Sequence, residues 1–172
     1  MLLTTPEYKA LLFEAASSPR NLAILQVFLQ TGVRGGELCA LNLHHIDLVG
    51  KEQHVRARKG VIDTTIPLSN AAAEALREYL AVRPAAFSDP LFLNKAPEPL
   101  SDPAVRYLVK AYLGRAGILI RKPNASVHTL RHTFGTHKSD REVDLATLQY
   151  WMGHKKRETT YRYIHLARTI GA

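Results

Sequence analysis

Apolar positions recur at helical spacing over most of this chain and alternate over only one short stretch. After Thr5-Pro6, where Thr suits an N-cap and Pro the first turn, Leu11, Leu12, Ala15 and Ala16 line one face until Ser17-Ser18-Pro19 breaks the pattern. Asn21 to Thr31 is apolar almost throughout, with Leu22, Leu25, Val27, Phe28 and Leu29, and predicts a central core helix ending at Gly32. Glu37-Leu38 opens another short helix. Residues 53–58 and 61–68 switch to the two-residue period of strands, with Gly60 between them and Ile66-Pro67-Leu68 at the end. They predict a hairpin or a small three-stranded sheet with Lys59 near its tip. Ser69-Asn70 caps a helix through Leu80. Prolines at 84, 90, 97, 99 and 103 make the next stretch a loop around a short Leu91-Phe92-Leu93 strand. Further helices are predicted at 102–116, 128–138, 144–152 and 157–166. No repeat or interdomain linker interrupts the chain. The fold class is mainly α with a small antiparallel β-sheet (α+β), as one domain over 1–172.

Composition supports this picture and narrows it. A chain of 172 residues, 46% of them hydrophobic, can bury a real core. The single Cys39 rules out an intramolecular disulfide framework, and beside Leu38, Ala40 and Leu41 it reads as a small core residue rather than a nucleophile. No apolar run approaches the ~18–20 residues of a membrane span, and Met1 to Pro6 lacks the basic start of a signal peptide, so the chain reads as cytoplasmic.

Charge adds a partner class. The net charge is +8, and it is concentrated. Residues 51–60 carry +3 and 121–172 carry +6, while 1–50 sum to −1 and 61–120 to zero. A basic balance placed this way suits a polyanion such as a nucleic acid; a solvated basic surface is the plainer reading.

The residues able to do chemistry lie in or near the basic stretches. Arg34 follows the apolar helix and precedes Gly35-Gly36, which let backbone approach a ligand closely; its planar fork matches phosphate. Glu37, one turn on, either holds Arg34 in place or makes a plain surface ion pair with it. His128 and Arg131 are spaced to share a helical face, one to move a proton and one to neutralise a phosphate. His132 is rotated off that face and suits packing or a hydrogen bond. The His128, His132, His137 spacing lacks the Cys cluster or His-Glu-x-x-His pattern of a zinc site, so no metal is expected. His154 follows Gly153 at a predicted helix end, and Lys155-Lys156-Arg157 reads equally as a phosphate contact or a solvated run. Tyr161 and Tyr163 lie ~200° apart on a helix, so at most one shares a pocket with His154.

Taken in order, these segments resemble the tyrosine recombinase family, the phage-integrase and Xer-like enzymes. Thr31-Gly-Val-Arg-Gly-Gly-Glu-Leu38 resembles the family's first arginine box, and Arg58-Lys59-Gly60 with Ile66-Pro67-Leu68 its β-hairpin lysine segment. His128-Thr-Leu-Arg-His-Thr-Phe134 resembles the second box. Met152-Gly-His154 and Thr159-Thr160-Tyr161-Arg162-Tyr163 resemble the third histidine and the nucleophile segment. In the family the tyrosine usually stands nine residues after that histidine and third after a Thr-Thr pair, and both counts select Tyr163 over Tyr161. The similarity runs from about Leu3 to Leu166 and covers the catalytic domain; the helical N-terminal domain that completes the family's clamp on DNA has no counterpart in this sequence. The chain departs from the family at Ile62-Asp63-Thr64, where further basic residues are usual, and at Lys138 to Glu142.

The resemblance implies a catalytic set of Arg34, Lys59, His128, Arg131, His154 and Tyr163, supported by Glu37. It implies DNA contacts from Arg56, Arg58, Lys155, Lys156 and Arg157, and self-association as a tetramer on recombination sites. Tyr163 would attack a phosphodiester to give a 3′-phosphotyrosyl link, with no cofactor because the bond energy is conserved. Type IB topoisomerase-like relaxation, a non-catalytic DNA-binding module and a metal hydrolase are the rival readings.

Overall fold

The computed structural model describes residues 1–55, 64–84, 89–140 and 143–153. The chain opens into helix α1 (Thr5–Ala15), whose cap is Thr4 and not Thr5. The Thr4 hydroxyl accepts from the Glu7 N–H while the Glu7 carboxylate accepts from the Thr4 N–H. That reciprocal box needs an acid three residues after the cap, and only Thr4 stands at that distance from Glu7. Helix α2 (Pro19–Thr31) is buried nearly all round, from Ala23 to Leu29, and packs against its neighbours on several sides. Ser18 caps it, so it begins earlier than the apolar run alone predicts.

A five-residue helix, α3 (Gly35–Cys39), and a single 3-10 turn (Leu43–His45) lead into the sheet. Strands β1 (Ile46–Asp47), β2 (Glu52–Val55) and β3 (Thr64–Pro67) pair antiparallel in the order β1-β2-β3, with Ile46 opposite Gln53 and Val55 opposite Thr64. Gln53 and Val55 face inward from β2, Thr64 and Ile66 from β3. The Gln53 amide donates to the Thr31 hydroxyl at 3.1 Å and so ties the sheet to the end of α2.

Helix α4 (Asn70–Val82), capped by Ser69, lays Ala72, Ala75, Leu76 and Tyr79 against α2. The expected Leu91-Phe92-Leu93 strand does not form. Isolated bridges flank it, Asn42 with Pro90 and Leu93 with Pro99. Proline has no N–H to extend a ladder, so the three side chains plug the core without a strand around them. Helix α5 (Asp102–Arg115) follows with Ser101 as cap, then a short α6 (Ile118–Arg121) that the sequence pattern did not predict. Helix α7 (Val127–Asp140) returns along α2, and α8 (Leu145–Trp151), capped by Asp144, ends at Gly153 in the left-handed region. The helix expected at 157–166 lies outside the described residues. The fold is mostly helical with one small sheet, as expected.

Most apolar side chains join one core around α2. A second, smaller cluster of Phe134, Leu148 and Met152 joins α7 to α8.

Candidate active site

Two arginines from distant parts of the chain meet at one backbone atom. Arg131, on the inner side of α7 and 6% exposed, donates through Nη2 to the Met152 carbonyl at 2.6 Å and through Nη1 to the Gly32 carbonyl. Arg34, the residue capping α3, donates through Nη1 to the same Met152 carbonyl at 3.4 Å. Glu37 fixes Arg34 twice: its carboxylate accepts from the Arg34 N–H at 2.8 Å and lies 3.5 Å from Nη1. Glu37 is buried while Arg34 is about one-third exposed, so the pair is an anchored support and not a loose surface ion pair.

Local chemistry explains why the chain can present those carbonyls. Gly32 ends α2 at φ 68°, and a Cβ there would run into the Phe134 ring. The turn therefore sits tight on α7 with its carbonyl towards Arg131. Gly153 plays the matching part after α8 at φ 67°, with its N–H donating to Tyr150 O at 3.0 Å.

Arg34 and Arg131 open onto a cleft of about 610 Å³, whose wall also includes Gly35, Gly36, Asp102, Arg106 and His128. His128 is exposed at its mouth, one turn before Arg131, as the spacing predicts. His132 is half-buried and does not line it. Lys110 also borders the cleft, but its ammonium is committed to the Pro123 and Ala125 carbonyls at 2.9 and 2.8 Å. It braces the turn that leads into α7 and His128.

Lys59, His154 and Tyr163, and the basic residues Arg56, Arg58, Lys155, Lys156 and Arg157, lie outside the described residues. The points at which those segments leave the described chain are nevertheless together. Val55, Thr64 and Gly153 share the wall of one small cavity with Glu37, Arg131 and Met152. The Tyr150 hydroxyl accepts from the Thr65 N–H at 3.0 Å, fastening α8 to β3 beside it. Among the described residues, no group of three or more His, Cys, Asp and Glu side chains is arranged to hold a metal ion.

The sequence pattern overlooked part of this site. Asp102 and Arg106 line the cleft and pair with each other, and their i, i+4 spacing on a capped helix was the available signal. The carbonyls of Gly32 and Met152 carry no side-chain signal at all.

Comparison with known proteins identifies the family. Residues 2–169 match the phage integrase family, and the chain belongs to it. It is 37% identical over 156 residues to the tyrosine recombinase XerC of Thermodesulfovibrio yellowstonii, a match covering 86% of this chain and 50% of the relative. The crystal structure of XerA recombinase superimposes with a TM-score of 0.87 at 30% identity, covering 96% of this chain and 58% of that one. XerH site-specific recombinase, bound to a palindromic difH substrate in a post-cleavage complex, shares the fold with a TM-score of 0.83 at 22% identity, over 99% of this chain and 51% of that one. The chain spans about half the length of the curated relatives it matches.

Proposed function

We propose that this chain is the catalytic domain of a site-specific DNA recombinase that cuts and rejoins strands through a tyrosine. The observation that carries this reading is the convergence of Arg34 and Arg131 on the Met152 carbonyl, with His128 in the same cleft. Two guanidiniums held from behind by backbone and by Glu37 are already oriented, so a phosphate entering the cleft meets donors that need no reorganisation.

In this mechanism the Tyr163 oxygen attacks phosphorus as its proton passes to His128. The new Tyr–O–P bond forms as the P–O5′ bond breaks, leaving a 3′-phosphotyrosyl link. Lys59 gives a proton to the departing 5′-oxygen. Arg34 and Arg131 bind the non-bridging oxygens, and His154 donates to the same phosphate. Attack by a 5′-hydroxyl reverses these steps and reseals the strand without ATP. Arg56, Arg58, Lys155, Lys156 and Arg157 contact the backbone of double-stranded DNA, and four copies act on paired sites in the bacterial cytoplasm. The relatedness to XerC and XerA recombinases and the fold shared with DNA-bound XerH support this reading.

The test is a nicked duplex that traps the covalent intermediate, incubated with EDTA present. A denaturant-resistant protein–DNA band is expected from the wild type and from Tyr161→Phe, and none from Tyr163→Phe. A band that survives Tyr163→Phe would falsify the assignment. DNA bound without any band, on substrates carrying the recombination site, would leave a binding module only.

A further inference from the structure

Among the described residues lining the cleft there is one carboxylate, Asp102, at the first position of α5. Its two oxygens have different surroundings. Oδ2 accepts from Arg106 Nη2 at 2.6 Å, one turn along the helix. Oδ1 is buried and has no hydrogen-bond partner among the described residues. It lies so close to α3 that a Cβ at Gly35 would stand 2.5 Å from it. Asp102 therefore rests against the backbone that immediately follows Arg34, where a DNA phosphate is to bind.

Helix stability accounts for a carboxylate in the first turn of α5, which the helix dipole favours, but not for an oxygen held against α3 without a donor. Ser101 already caps α5, its hydroxyl accepting from the Ala104 N–H at 3.2 Å. The Arg106 side chain is 72% exposed, and an exposed pair at this spacing contributes little. A buried carboxylate oxygen without a donor is, by contrast, unfavourable. What the position does accomplish is electrostatic. It puts one negative charge in the wall of an anion-binding cleft and occupies the cation, Arg106, that stands nearest on α5.

The geometry points to Asp102 as an internal anion that restrains DNA binding: it holds Arg106 in the free protein, and an entering duplex draws Arg106 from the carboxylate to a backbone phosphate. The inference rests on the proposed function and deepens it. Backbone contacts add affinity without reading sequence. A carboxylate that competes for one of them weakens binding to arbitrary DNA, so that a greater share of the affinity depends on the recombination site.

Asp102→Asn tests this, since the amide keeps the size of the side chain and the contact with Gly35 while removing its charge. Binding of a fluorescein-labelled duplex of arbitrary sequence to the whole chain is followed by anisotropy between about 50 and 200 mM NaCl. Asp102→Asn is expected to bind about threefold to tenfold tighter at the low-salt end with its salt slope unchanged, because Arg106 reaches one phosphate in both complexes and only the cost of drawing it from the carboxylate is removed. In an Arg106→Gln background that gain should disappear. Arg106→Gln alone should bind more weakly than wild type with a slope shallower by about one, which keeps the test open should Asp102→Asn fold poorly. Weaker or unchanged binding by a folded Asp102→Asn overturns the inference. So does an equal gain without Arg106, which would reflect net charge alone. Wild-type protein that binds no DNA at low salt removes the proposed function as well, so the two failures are told apart.

Discussion

The wall of the fold built on α2 and α4 and the corner where α7 meets α8 are held together by different forces. Around α2, Ile24, Leu25, Val27, Phe28 and Leu76 are fully buried, and burial of apolar surface does the work. At the corner the apolar cluster among the described residues is Phe134, Leu148 and Met152, with Val143 and Trp151 against it. There, position is fixed by polar contacts: Arg131 to two carbonyls, Arg34 to one of them, and Tyr150 to β3. The first region supplies stability without direction, and the second supplies direction. Hydrophobic burial is non-directional, so a site that must aim guanidiniums needs hydrogen bonds for it.

The contrast is broken most severely by exchanging one residue in each region. Phe28→Ala removes a fully buried ring from α2 and should cost about 3–5 kcal/mol of global stability, read as a shift of the urea midpoint. Arg131→Lys keeps a cation but gives up the planar fork that reaches two carbonyls. It should lower single-turnover cleavage by about 10²–10³ while moving the unfolding midpoint far less than Phe28→Ala does. Equal stability losses in the two variants would mean that the corner belongs to the core energetically.

Two glycines sharpen the comparison. Gly32 and Gly117 both hold the left-handed conformation, at φ 68° and 75°. A Cβ at Gly117 would meet nothing within 4 Å, whereas at Gly32 it would strike Phe134. Gly117→Ala should therefore cost only the backbone strain, about 1 kcal/mol. Gly32→Ala adds displacement of the Phe134 ring, for a total of about 2–4 kcal/mol, and shifts the carbonyl that holds Arg131. Thermal melts of both variants, with cleavage by each, decide it. A loss of cleavage in Gly32→Ala no larger than its loss of folded protein would argue against the carbonyl as a positioning group.

The same division explains what could be read from the sequence. Helices announced themselves through caps and apolar spacing: Ser69 before α4 and the continuous run of α2 are local signals that tertiary contacts did not override. Arg34, His128 and Arg131 were legible as chemistry because their side chains suit phosphate, and the fold brings them into one cleft. The cap of α1 was misplaced by one residue because Thr4 and Thr5 are both competent caps, and Glu7 chooses between them. Leu91 to Leu93 looked like a strand because burial and apolar character are shared by strands and by loops that plug a core. The Met152 and Gly32 carbonyls could not be read at all, since every residue has a carbonyl and only the fold says which one faces an arginine. Asp102 is similar: it lies against Gly35, 67 positions away in sequence, and no local pattern encodes that contact.

The smallest effect tests the seam between the two regions. Leu3 N–H donates to the Thr133 hydroxyl of α7 at 3.1 Å, and Lys122 Nζ donates to the Leu2 carbonyl and pairs with Glu7 at 2.6 Å. The start of the chain is thus stitched across both α1 and α7. Burial raises the Glu7 carboxyl, but the hydrogen bonds from Lys122 and the Thr4 N–H, with the charges of Lys122 and Arg121, outweigh it and hold the group below its ordinary 4.5. A depressed carboxylate contributes its stability in full above the unfolded-state value and loses it as pH falls through the folded one. Wild-type protein should therefore lose stability through this group on acidification from about pH 5 to pH 3, and Glu7→Gln should lack that part of the fall. Lys122→Met should flatten the same acid limb, and the two substitutions together should do no more than either alone. Additive effects would show that Lys122 acts chiefly through the Leu2 carbonyl, and that the seam is closed by backbone capture rather than by charge.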